Sequence, residues 1–71
     1  MDFPLTWDDS YEIALELHQL HPHISIEDVS IEMIFQWTVS LPRFCDDIEL
    51  VNDDILQAIF REWLEEVISN E

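Results

Sequence analysis

Apolar residues recur at helical spacing in three stretches of the chain, and proline or capping residues separate them. The first stretch runs from about Asp9 to Leu20. There Ile13, Leu17 and Leu20 repeat with Ala14 beside them, while Glu12 and Glu16 lie one turn apart on another face. Thr6, Asp8 and Asp9 are its candidate caps, and Pro22 stops it. Ser25-Ile26-Glu27-Asp28 resembles a capping box, so a short helical turn is expected before the second main helix, about Ser30 to Leu41. Ile31, Ile34, Trp37, Thr38 and Leu41 form its stripe, flanked by Met33 and Phe35. The β-branched content makes a strand the competing reading here. Pro42 closes the segment. Phe44 to Val51 reads as a loop carrying Asp46, Asp47 and Glu49. Asn52 then caps the third helix, with Asp53 and Asp54 in its first turn. Ile55, Ile59, Trp63 and Val67 recur every four residues, widened by Leu56, Phe60 and Leu64. The pattern predicts one mainly α domain over residues 1–71, a compact three-helix bundle or a helix-turn-helix-like arrangement.

Composition supports folding. A chain of 71 residues buries only about 60% of its unfolded surface, but a 48% apolar fraction with three Trp and four Phe suffices for a thin core. Glycine is absent, which argues against tight primed hairpins and phosphate-cradling loops. Charge narrows the partners. Seventeen carboxylates face only Arg43 and Arg61, giving a formal net charge of −15 without a single lysine. Such a field repels nucleic acid and anionic lipid, and it selects a basic protein surface or a cation. Solvation alone is the plainer reading, yet excluding lysine goes beyond what solubility requires. Cys45 is the sole cysteine, so no internal disulfide forms and a reducing compartment is compatible. Met1–Thr6 lacks a basic start and an apolar run, and no stretch approaches membrane-span length, so a cytoplasmic protein is expected.

No Ser/His/Asp order, phosphate loop or paired-cysteine motif is present, and a non-enzyme is expected. His18 and His21 share a helical face and His23 follows Pro22. Imidazoles among carboxylates suit borderline metals, but groups at a negative helix end are the commoner meaning. Asp46, Asp47 and Glu49 in one loop, with Glu65 and Glu66 ending the third helix, are better oxygen ligands for a weakly held cation. A solvated acidic face is again the commoner meaning of such runs. Cys45 stands beside two carboxylates rather than basic groups, and no nucleophile is expected there. Trp7, Trp37 and Trp63 stand at apolar positions and read as core.

These residues carry a resemblance. Trp7-Asp8-Asp9-Ser10-Tyr11-Glu12-Ile13 resembles the W-x-D-S-x-E-I opening of the IscX family, small acidic proteins of bacterial iron–sulfur cluster assembly. The likeness continues through Leu17, Pro22, Val29, Gln36-Trp37, Leu41, Phe44 and Asp46-Asp47. It then runs through Asn52-Asp53, Ile55-Leu56, Ala58-Ile59 and Trp63-Leu64-Glu65-Glu66, covering about residues 5–66 without an evident gap. The resemblance implies a modified winged-helix-like, mostly helical fold. It implies docking on a basic patch of a cysteine desulfurase, weak ferrous iron binding through surface carboxylates, and competition with frataxin-like proteins. The positions it carries over for docking are Asp9, Glu12, Asp46, Asp47, Glu65 and Glu66, to which Glu16 is added. Asp46, Asp47, Glu49, Glu65 and Glu66 are the candidate iron ligands. The family places tyrosine where His18 and His21 stand, which implies aromatic packing there. Cys45 replaces a further acidic residue of the family's Phe-Asp-Asp-Asp run, the family's cysteine near Val39 is missing, and Glu27 and Ser30 stand where basic residues are common. A competing reading is a nucleic-acid mimic or anti-activator that blocks a basic DNA-binding surface.

Overall fold

A computed structural model describes residues 3–69. Helix α1 spans Ser10–Leu20, α2 spans Ile31–Val39 and α3 spans Asp53–Ser69. Short 3-10 turns cover Ile26–Asp28 and Ile48–Leu50, and the protein is mainly α. The turn expected at Ser25 is present, although the Ser25 side chain caps nothing.

Local chemistry explains where the helices start. Ser30 is extended, and its Oγ accepts from the Met33 N–H at 3.1 Å. The Ser30 N–H donates in return to Met33 Sδ at 3.4 Å, a weak acceptor, so most of the cap rests on the first bond. That start settles the second segment as a helix. Asn52 Oδ1 likewise accepts from the Ile55 N–H at 2.9 Å at the head of α3. Asp9 departs from the expected pattern. It occupies the N-cap position of α1, but its backbone (φ −94°, ψ 49°) is not extended and its side chain caps no helical amide. Its Oδ2 turns back to accept from the Thr6 N–H and hydroxyl at 2.9 and 3.2 Å.

The core gathers Ile13, Ala14 and Leu17 from α1, Ile34 from α2, and Leu56, Ile59 and Trp63 from α3. α3 is the central element, since both other helices pack chiefly against it. Leu5, Trp7 and Leu41 complete the core from the flanking segments. Leu20, grouped with the buried stripe by spacing, is 57% exposed, because the last turn of α1 runs past the core. Trp37 is half-buried. His21 stacks on it with ring centroids 4.1 Å apart, and Trp63 lies 5.9 Å away on the core side. His21 is therefore a packing residue, as the family's tyrosine implied. Thr38 is fully buried at 0% exposure, and among the described residues its hydroxyl has no hydrogen-bond partner.

The segment before α1 is strapped to the segment after α2. The Leu5 N–H donates to the Arg43 carbonyl at 2.7 Å, and the Cys45 N–H donates to the Leu5 carbonyl at 2.8 Å. This parallel bridge between Leu5 and Phe44 is the sole extended pairing among the described residues. It buries Leu5 to 2% exposure.

Candidate docking surface

Trp7 organises the acidic residues nearest the start of α1. An indole in a core must find an acceptor for its N–H. Here Trp7 Nε1 donates to the Asp47 carbonyl at 2.8 Å, while the Trp7 backbone N–H donates to Asp46 Oδ2 at 3.0 Å. The ring packs edge-on against Phe44 at 4.7 Å and parallel to Phe35 at 6.3 Å. Asp46 Oδ1 accepts from the Asp47 N–H at 2.7 Å, and Asp47 Oδ1 accepts from the Glu49 N–H at 3.0 Å, which caps the second 3-10 turn. Both oxygens of Asp46 thus accept from backbone amides. Asp46 is half-buried and fastens the loop to the residues before α1, while Asp47 and Glu49 stand exposed beside it.

A second tie runs through Arg43. Its guanidinium donates to Glu16 through Nη1 and to the Phe3 carbonyl through Nε at 2.9 Å. The Glu16 charge is therefore opposed locally. In this region the carboxylates placed outward are Asp8 and Glu12 near the start of α1, Asp47 and Glu49 in the loop, and Glu65 on α3; Glu27, Asp28, Glu32, Asp53 and Asp54 are exposed elsewhere.

The third part of the surface lies across α1 and α3. Tyr11, 48% exposed, lines an open depression of about 440 Å³ together with Glu62, Glu65, Glu66, Ile68 and Ser69. Loop, α1 and the end of α3 thus bring acidic side chains to the region around the start of α1. Sequence reasoning missed Tyr11 and Glu62 as members of this surface. Glu62, Glu65 and Glu66 follow i, i+3, i+4 spacing, a signal already legible in the chain.

Such an arrangement offers oxygen acceptors to a positive surface on a fixed scaffold. For a cation the geometry is less concentrated: among the described residues, no three His, Cys, Asp or Glu side chains converge as a ligand cage. Asp46, Asp47 and Glu49 are neighbours in one loop, and Glu65 and Glu66 line a separate depression on α3. Cys45 is exposed and unbridged. No helix among the described residues is long and apolar enough to cross a membrane.

Comparison with known proteins identifies the family. A family model described as iron–sulphur cluster assembly matches residues 5–68. The chain is also 36% identical over 62 residues to "Uncharacterized protein PA3808" of Pseudomonas aeruginosa, a match spanning 87% of this chain and 94% of that protein. Residues carrying the Trp7 anchor and the α3 carboxylates fall within the matched region. The chain belongs to the IscX family of iron–sulphur cluster assembly proteins.

Proposed function

We propose that this protein is a non-catalytic acidic adaptor that docks on a basic surface patch of a cysteine desulfurase in the cytoplasm. There it tunes sulfur delivery to the assembling cluster and competes with a frataxin-like protein for the patch. Membership of an iron–sulphur cluster assembly family supports this reading over a nucleic-acid mimic. The observation that carries it is the gathering of acidic residues from three segments around the start of α1, on a scaffold held by Trp7, Asp46 and Arg43. A fixed array loses little conformational freedom on binding, so many weak pairs add up. Each exposed pair contributes only about 0–1 kcal/mol, and the strength must come from their number and from long-range attraction.

Ferrous iron is the second element of the proposal, as a loosely held cargo rather than a resident cofactor. Glu49, Asp47, Glu65 and Glu66 would each offer an oxygen to a mostly water-ligated ion. With Asp46 engaged by two backbone amides, Asp47 and Glu49 are the loop members that face solvent.

The test is a binding measurement with purified desulfurase at low and high salt, using the native chain and a Glu12→Gln/Glu62→Gln/Glu65→Gln variant. Affinity is expected to fall by about ten-fold or more with salt, and the variant should lose most of that dependence. Equal affinity for both proteins at both salt levels overturns the docking proposal. A parallel ferrous titration followed by backbone amide shifts should show fast exchange at Asp47, Glu49, Glu65 and Glu66. No saturable change at millimolar iron removes the cargo role.

A further inference from the structure

The lining of one groove is free of acid in a chain that carries seventeen carboxylates. Ile31 at the start of α2 and Gln57, Phe60, Arg61 and Leu64 on α3 enclose an open groove of about 450 Å³. The four α3 residues follow i, i+3, i+4, i+7 spacing and share one face. At about 100° per residue, Glu62 and Glu66 project from a face more than a third of the way round the same helix, and Glu65 lies about a quarter of the way round, at the groove's border. Ile31, Phe60 and Leu64 are half-buried, and Ile31 and Phe60 pack on the core with one side while leaving the other open to the groove. Arg61 stands exposed at its edge.

Arg61 also differs from the other arginine. Arg43 is committed to Glu16 and the Phe3 carbonyl, whereas among the described residues Arg61 has no carboxylate within ion-pair distance. Glu65, one turn along, is well placed by spacing but forms no such pair. An arginine with no ion-pair partner among the described residues, beside three apolar side chains, matches a ligand that is apolar with one negative group.

We propose that this groove is a second docking site, for a helical segment of a partner that presents a large aliphatic or aromatic side chain next to a single carboxylate. The apolar side chain fills the space between Ile31, Phe60 and Leu64, and the carboxylate pairs with Arg61. Recognition of this kind is a helix laid in a groove. The rest of the segment is neutral or basic, because the overall charge of −15 repels an acidic one. At physiological salt the screening length of about 8 Å lets one carboxylate at Arg61 escape most of that repulsion. The groove and the acidic surface lie on different faces of α3, so one molecule can hold both partners at once. The site stands independently of the desulfurase proposal, since it uses none of the same side chains.

Three capped, helix-forming 15-residue peptides test the site with the full chain. They share an apolar Leu/Phe face on an Ala/Gln/Lys background and differ at one groove-edge position, which is Glu, Gln or Lys. Amide shifts of the isotope-labelled protein give the binding site and affinity. The Glu peptide is expected to shift residues 31, 57, 60, 61 and 64 saturably and to bind about ten-fold more tightly than the Lys peptide. Arg61→Glu, an exposed substitution that leaves the core untouched, should invert that order. Shifts centred on Glu62, Glu65 and Glu66, or an unchanged order with Arg61→Glu, overturn the proposal. Sedimentation showing that the groove is instead closed by a second copy of this chain overturns it as well.

Discussion

Replacing Asp46 separates two roles that its sequence neighbourhood makes look alike. An aspartate in an acidic loop reads as a docking or iron-binding group, but here its carboxylate spans the Trp7 N–H at 3.0 Å and the Asp47 N–H at 2.7 Å. The first bond is partly buried and joins residues 39 apart in sequence; the second is exposed and local. Hydrogen bonds to charged groups contribute about 1.5–3 kcal/mol, and partial exposure brings the Trp7 bond to about 1–2 kcal/mol. The exposed local bond adds only a few tenths. Asp46→Ala should therefore cost about 1–2 kcal/mol. In a domain of this size each kcal/mol moves Tm by about 4–8 °C, so the expected drop is about 5–15 °C. Asp46→Asn retains one carbonyl oxygen and should cost about half as much. Removing one negative charge relieves some self-repulsion, so Glu65→Gln, which makes the same charge change at an exposed site, serves as the control and should melt at or slightly above the native value. Urea denaturation followed by Trp fluorescence gives the free energies directly. If Asp46→Ala melts with the control while desulfurase affinity collapses, the carboxylate acts on the partner and the tether argument is wrong.

Two further changes probe the fold. Thr38→Val removes a fully buried hydroxyl that has no partner among the described residues while keeping the shape, so it should stabilise the protein by about 1 kcal/mol or more; a lower Tm would show that the hydroxyl is bonded. A double-mutant cycle on Arg43 and Glu16, whose side chains are 30% and 27% exposed, should return a coupling of about 0.5–1 kcal/mol. Arg43→Ala alone should cost more than Glu16→Ala, because it also releases the Phe3 carbonyl; equal costs would remove the strap from that role.

The helices were legible because their signals are local. The Asn52 cap, the stops at Pro22 and Pro42, and the four-residue repeat from Ile55 to Trp63 each act within a turn or two, and the structure places α1, α2 and α3 close to the limits they imply. Ambiguity over the second segment vanished for a reason of the same kind, since Ser30 and Met33 cap each other. The contacts that no local signal announces are mostly those between distant segments. Nothing near Asp46 in the chain announces Trp7, and nothing near Glu16 announces Arg43. Asp9 is a local exception: at the N-cap position it accepts from Thr6, three residues back, rather than from a helical amide. One long-range clue was available: a Trp at an apolar position needs an acceptor for its indole N–H, and a loop rich in Asp is a good place to seek one.

The strap between residues 3–7 and 43–47 has a consequence for the order in which the molecule assembles and opens. Joining points some 40 residues apart costs far more chain entropy than winding a helical turn, so this closure follows the helices in folding and precedes them in unraveling. Amides at Leu5, Trp7 and Cys45 should then exchange with solvent ahead of those in the middle of α3. A partner that grips both sides of the strap would close it like a clasp, and the slowed exchange at those amides would mark where it sits.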